Sequence, residues 1–223
     1  MWRGHVRYGM LARGKNLEGG MRSVAAEAII DLYNRHAETW VSARRQETIF
    51  YERGWFEKFC ALVASGGRVL DLGSGAGAPL ATYLAAQGYG VTGVDSSPAM
   101  ATLFEKILPD QDVFVADMRR LALGRMFAGI LAWDSFFHLA HDDQRRMFPV
   151  FRAHAAPRAA LMFTSGPAYG EAMGQLGGEP LYHASLDPDE YRDLLDQHGF
   201  DVIAAVAEDT TCSGRTVWLA QRR

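Results

Sequence analysis

The stretch RVLDLGSGAGAPLATYLAAQG, residues 68–88, decides the fold. Val69–Leu72 is a short apolar run, and Pro79–Gln87 has helical composition. Between them stand three glycines at alternate positions, Gly73, Gly75 and Gly77, around Ser74. A strand that turns through glycines into a helix lets backbone approach a ligand closely, because no Cβ fills the space. Phosphate-gripping loops of this kind continue as GxGxxG or as GxxxxGK followed by Ser or Thr. This one does neither and has no lysine. Asp71, two residues ahead of the first glycine, would repel a pyrophosphate and attract an ammonium group.

Downstream, β-rich runs at Val91–Val94, Val113–Ala116, Ile130–Trp133 and Ala159–Thr164 alternate with helical stretches at Pro98–Leu108 and Asp142–Ala155. That alternation predicts parallel strands joined by crossover helices, a doubly wound α/β sheet covered on both faces. Asp187-Pro188-Asp189-Glu190 has a capping acid, a first-turn proline and a Glu at the third helical position, so a helix runs from there to Gly199. Val202–Val206 and Thr216–Leu219 are joined too briefly for a crossover and read as an antiparallel hairpin.

Upstream, Tyr33, His36, Ala37 and Trp40 recur at helical spacing in an N-terminal helix, and a second helix is read from Thr48 to Ala64. Residues 1–20 read as a flexible tail. Met21 opens a more regular stretch and is a candidate natural start, which an intact mass retaining residue 1 would remove. The expected organisation is one domain over 21–223, with helices over 21–66 ahead of a core over 67–223.

The chain has 223 residues, 48% of them apolar, with a net charge of −3 and its Lys and Arg dispersed. This composition supports a sizeable core and offers no footprint for a nucleic-acid backbone. No apolar run is long enough for a membrane span, and Cys60 and Cys212 lack metal-ligand spacing. The expectation is a cytoplasmic protein with two free thiols, no membrane or nucleic-acid partner and no metal.

Three successive strands end in an acid: Asp71, Asp95 and Asp117. An acid at the second tip suits the two hydroxyls of a ribose. Taken singly, each also fits a turn or a helix cap. Val69 to Gly77, then Val94-Asp95-Ser96-Ser97-Pro98-Ala99-Met100, then Ala116-Asp117-Met118, resemble the first three motifs of class I S-adenosylmethionine-dependent methyltransferases. The likeness runs from about Tyr33 to the C-terminus. It implies a Rossmann-like, doubly wound sheet of seven strands, mostly parallel with the last antiparallel, plus N-terminal helices. It also implies S-adenosyl-L-methionine as cofactor. Asp71 would lie near the ammonium, and Gly73, Ser74, Gly75 and Gly77 would pass under the methionine and ribose. Asp95, with Ser96 beside it, would hold the ribose. Met100 and Met118 would sandwich adenine, and Asp117 would accept from its amine. Read without the resemblance, both methionines fit a core equally well. A nicotinamide oxidoreductase and a non-catalytic binder of the same cofactor are the alternatives, the first disfavoured by Asp71 and the loop spacing.

Methyl transfer from a sulfonium is in-line displacement, so alignment and water exclusion are the enzyme's main tasks. Trp133, Phe136 and Phe137, at the end of the fourth strand, form either an acceptor wall or core, with Trp133 also assigned to the cofactor side. The stretch departs from the Asp/Asn-Pro-Pro-Tyr/Phe pattern of methyltransferases that act on nucleic-acid bases, so the acceptor is expected to be a small molecule. His138 is the candidate general base, with a structural hydrogen-bonding role as the alternative. His138 and His141 with Asp142 lack a third convincing metal ligand, and Asp142 reads as a helix cap. Gly166–Leu186 holds five glycines and two prolines without clear periodicity. Its Tyr169 and His183, with Tyr33 and Trp40, are candidate acceptor contacts, and the two segments are expected to form a lid, with a surface hairpin carrying incidental aromatics as the alternative.

Overall fold

The computed structural model describes residues 19–45 and 50–223. The expected tail falls almost wholly outside them, but Gly19 and Gly20 already belong to the first helix, α1 (Gly19–Arg45).

The core alternates as read: α2 (Arg53–Leu62), β1 (Arg68–Leu72), α3 (Leu80–Ala86), β2 (Gly90–Asp95), α4 (Pro98–Ile107), β3 (Asp112–Val115), β4 (Phe127–Ala132), α5 (His141–His154) and β5 (Ala155–Ser165). Then come β6 (Gly170–Leu176), β7 (Glu179–Ser185), α6 (Pro188–Gln197), β8 (Phe200–Asp209) and β9 (Arg215–Arg222). Seven strands form one sheet in the order β3-β2-β1-β4-β5-β9-β8. β1 pairs in parallel with β2 and β4, whereas β9, the last strand, runs antiparallel between β5 and β8.

Alternation along the strands puts apolar side chains on both faces. Leu70, Ile130 and Phe163 join Phe136, Phe148 and Phe151 on one side, while Val69, Val91 and Leu131 meet Phe56 and Phe59 of α2 on the other. Covering both faces is what a parallel sheet requires. The helix starts follow their capping chemistry: the Ser97 hydroxyl accepts the Met100 N–H at α4, and Asp187 accepts the Asp189 N–H at α6.

Three local readings need correction. The second helix begins at Arg53, because Glu52 turns its side chain into the protein, where Arg44 and Arg215 meet it, and its carbonyl accepts from Trp55 and Phe56. Asp142 is no cap, since α5 starts a residue earlier and Asp142 pairs with Arg145. The stretch 166–186, read as irregular, is a regular two-stranded hairpin, β6–β7. Its turn is Gly177-Gly178, both at positive φ, the geometry a two-residue hairpin loop demands.

α1 crosses the carboxyl edge of the sheet. Ala37 and Val41 pack on Ala76 and Met100, and the Asn34 side-chain carbonyl accepts from the Ser97 hydroxyl and the Ala99 N–H. On its other flank Arg35 and His36 pair with Glu179 of the hairpin. Among the described residues no helix is long and apolar enough to cross a membrane.

Candidate active site

The strand order reverses between β1 and β4, and the loops beyond their carboxyl ends part there. A cleft of about 1110 Å3, partly open to solvent, lies at this point with α1 as one wall.

The glycine loop forms the floor, but its glycines serve different needs. A Cβ on Gly73 would lie 2.3 Å from Ser135 Cβ, and one on Gly77 would lie 2.7 Å from the Phe104 ring. Both residues sit at positive φ, so the protein's own packing demands them. Gly75 is different: a Cβ there meets only Trp40, at 3.8 Å. It alone of the three leaves open space toward a ligand.

Gly75 also donates its N–H to Asp95 Oδ2 at 2.8 Å, while Ser97 N–H reaches Oδ1 at 2.8 Å. The acid at the second strand tip is thus fixed by one backbone donor per oxygen, and a lone pair on each stays available to the cleft. Burial raises its pKa, and the two backbone bonds oppose that. Asp71, only 3% exposed, is pushed up to about 7 by burial and then by the Asp95 charge. A cation beside it would offset that penalty. Ser96, Met100 and Met118 also line the cleft. The Ser74 hydroxyl and the Trp133 indole N–H, both on cleft residues, are buried with no partner among the described residues. Each such group carries a desolvation cost of about 1–3 kcal/mol that a polar ligand can relieve.

Asp117 departs from expectation. It reaches the cleft, but both of its oxygens accept from the Arg119 guanidinium, at 2.7 to 2.9 Å. Burial works to raise its pKa, and the Arg119 bonds outweigh it and hold the carboxyl below its ordinary range. Three Arg119 N–H groups thus fill three of its about four acceptor sites, so an adenine amine would share the carboxylate with the arginine.

Beyond β4 the chain breaks its alternation at Asp134, which sits at φ 47. Trp133, Asp134 and Ser135 therefore face the cleft, whereas Phe136 turns into the core, fully buried against Phe148 and Phe163. Phe137 packs on His183, which in turn lies 4.9 Å from the His138 ring, and neither lines the cleft. Tyr169, 55% exposed, stacks on His141 over a second groove that shares only Ala26 and Arg119 with the cleft. The structure thus brings Tyr33, Trp40, Trp133 and His138 together and leaves Phe136, Phe137, Tyr169 and His183 out. Phe136 and Phe137 lie in a short 3-10 turn, Phe136–His138, that follows the left-handed Asp134.

His138 is buried, and burial lowers its pKa to about 4. Its Nδ1 lies 2.8 Å from the Tyr182 carbonyl and its Nε2 lies 3.0 Å from the Tyr33 hydroxyl.

The cleft also gathers residues that the sequence reading missed: Ala26, Ile29, Ile30 and Arg44 of α1, and Asp134 and Ser135. Continuing the α1 stripe from Tyr33 and Trp40 by three- and four-residue steps reaches all four helix positions. Arg44 brings a cation to the rim and meets Glu52 behind it. Asp134 is gripped by Arg215 at 2.8 Å.

A nucleoside cleft at the switch point of a doubly wound sheet, with acids at the first two strand tips, defines a class of protein built to hold an adenosyl compound. A sequence model of the methyltransferase domain family matches residues 45–205. The chain belongs to that family, the S-adenosylmethionine-dependent methyltransferases of class I whose motifs it carries. No curated protein matches it. Among solved structures, it is similar to a 1,6-didemethyltoxoflavin N1-methyltransferase from Burkholderia thailandensis, bound to that substrate and S-adenosylhomocysteine. The identity is 18%, covering 94% of this chain and 92% of the other, with a TM-score of 0.67. It is also similar to CalS10 of Micromonospora echinaspora, a SAM-bound amino pentose methyltransferase, at 19% identity, 83% and 97% coverage and a TM-score of 0.65. A third is an S-adenosylmethionine-dependent methyltransferase from Clostridium acetobutylicum, at 14% identity, 85% and 98% coverage and a TM-score of 0.66.

Proposed function

We propose that the cleft binds S-adenosyl-L-methionine and that the protein directs its methyl group to a small-molecule acceptor. The observation that carries this is Asp95, whose two oxygens each hold one backbone N–H and keep a lone pair for a vicinal diol. The bound cofactor supplies an electrophilic methyl on a sulfonium. The chain supplies alignment: Asp71 meets the ammonium, Arg44 is the cation on the rim suited to the carboxylate, and Gly75 leaves room for the ribose. Ser96 stands beside Asp95, and Met100 and Met118 flank the base. Trp133 closes the wall nearest the fourth strand, and Tyr33, Trp40 and His138 bound the acceptor side. The two solved relatives named with their substrates act on small molecules, which supports the same for this chain. Its free Cys60 and Cys212 are consistent with a reducing cytosol.

Asp95→Ala removes both acceptors and is expected to weaken S-adenosylhomocysteine by roughly 5- to 150-fold, or about 1–3 kcal/mol, in a calorimetric titration. Unchanged affinity would refute the assignment.

In this reading α1 and the β6–β7 hairpin act as one lid. The His36 ring fills the space above Gly177, where a Cβ would lie 2.4 Å from it, so the two segments interlock as well as pair. Adding S-adenosylhomocysteine is expected to slow amide exchange in both together. Protection of one without the other would separate them.

A further inference from the structure

We propose that the acceptor is an amine carrying at least one N–H, held on an apolar body, and that the Tyr33 oxygen receives that N–H as the nitrogen attacks. The inference rests on the cofactor reading and deepens it.

The carbonyl of Tyr182, 2.8 Å from His138 Nδ1, can only accept, so Nδ1 carries the proton. His138 is buried and held neutral at ordinary pH, so Nε2 is a bare lone pair. The atom 3.0 Å from it is the Tyr33 hydroxyl, which must therefore spend its single proton on the imidazole. What remains on the Tyr33 oxygen is lone pairs only. Tyr33 and His138 both line the cleft, on the side where Ala26, Ile29, Ile30 and Leu139 make the wall apolar. A reacting group seated there meets a hydrogen-bond acceptor in an otherwise greasy surround. A donor is selected, and a group without a proton leaves that oxygen desolvated and unpaired.

Hydroxyl and amine both donate, and charge separates them. An alcohol must lose its proton as it attacks. Burial, then Asp134 and Asp95, hold the Tyr33 phenol above its ordinary range and thus protonated, while His138 behind it is a weak base. Neither takes a proton from an alcohol at neutral pH. An amine that reaches the site neutral, its acid proton already left to solvent, needs no such partner. Its nitrogen lone pair forms the new N–C bond, the electrons of the breaking S–C bond return to sulfur, and the product leaves as an ammonium that gives its proton to solvent. The positive charge passes from the sulfonium to the nitrogen, so the step buries no new charge, whereas an alcohol would have to leave its proton on one of these buried groups. His138 is then a positioning residue, which orients Tyr33 and takes no proton from the acceptor.

The test uses aniline, N-methylaniline and N,N-dimethylaniline, near-isosteres that are uncharged at neutral pH and carry two, one and no N–H. With the full-length protein saturated with S-adenosylhomocysteine, ligand-observed NMR is expected to show the first two binding roughly fivefold or more tightly than the third. Tyr33→Phe is expected to close that gap. Nitrogen-15 spectra of the wild-type imidazoles, which need no variant to fold, are expected to place the His138 proton on Nδ1. Equal affinity of the three anilines, failure of all three to bind, or a His138 proton on Nε2 overturns the proposal. Failure of the wild type to bind S-adenosylhomocysteine at all is a separate result, and it removes the cofactor reading and this inference with it.

Discussion

Gly73→Ala is expected to lower the melting temperature by roughly 5–15 °C, whereas Gly75→Ala in the same loop should cost only a few degrees. The added methyl at 73 lands 2.3 Å from Ser135 Cβ and 2.8 Å from its Oγ. Neither side can yield easily. The Ser135 hydroxyl donates to the Leu72 carbonyl at 2.6 Å, and the Gly73 N–H donates to the Val94 carbonyl at 2.7 Å, so two strand ends pin the contact. Overpacking of this kind costs about 1–3 kcal/mol, and the left-handed backbone at φ 71 adds about 1–2 kcal/mol for any residue with a Cβ. At Gly75, φ 52, only the backbone term applies, because the nearest atoms belong to Trp40 at 3.8 Å. Binding should show the opposite order per degree lost: Gly75→Ala intrudes on the cleft and weakens S-adenosylhomocysteine without comparable unfolding. Thermal melts of both variants beside calorimetry would decide the matter. Equal loss of stability in the two would mean that the loop glycines share one purpose.

That contrast shows what the sequence could and could not convey. The spacing Asp71-x-Gly73-x-Gly75-x-Gly77 announced a strand, a tight turn and a helix, and the tips at Asp95 and Asp117 placed two further acids on the same edge. Those features are local, and local patterns are legible because strand and helix periods are short. The reason for Gly73 was not legible, because its neighbour Ser135 lies far along the chain. The same holds for Asp134, whose carboxylate is gripped by Arg215 across 81 positions, and for Glu52, placed by Arg44 and Arg215. At Asp117 the complication is local: Arg119, two residues on, was in plain view and shares the carboxylate. The β6–β7 hairpin was legible only as an alternative, because its strands alternate weakly, with Met173 outward and small or polar residues around it. For Phe136 and Phe137, read as acceptor wall or core, the left-handed turn at Asp134 and the 3-10 turn after it give the second outcome. Such a residue is uncommon and has no reliable sequence mark, though Asp is among the types that tolerate it.

Asp71→Asn is expected to make the unliganded protein more stable at about pH 8 while making it a poorer binder. The carboxyl is buried, and burial followed by the Asp95 charge raises it from 3.8 to about 7. In the unfolded chain it ionises near its ordinary value, so across the interval from about 3.8 to about 7 the unfolded state releases a proton that the folded state keeps. The stability contributed by this group is therefore full at the acid end, falls as pH rises through that interval and is flat above it. Asparagine cannot ionise and does not share the fall. After the cost of burying an amide, the variant should gain roughly 1–3 kcal/mol over the wild type on the alkaline side. Affinity runs the other way. A ligand ammonium needs the ionised carboxylate, so wild-type S-adenosylhomocysteine binding should tighten by up to about tenfold per pH unit until roughly pH 7 and then level off. In Asp71→Asn that slope should vanish, and at about pH 8 binding should be weaker by roughly 10- to 100-fold, the worth of a charged hydrogen bond. The paired outcome is what makes the test sharp, because a residue kept only for the fold would lose stability when replaced, whereas one kept for a ligand imposes strain that the ligand relieves. A variant whose affinity follows the wild-type pH curve would place the ammonium elsewhere in the cleft, and a variant that melts earlier at alkaline pH would show that Asp71 already has its counter-charge within the protein.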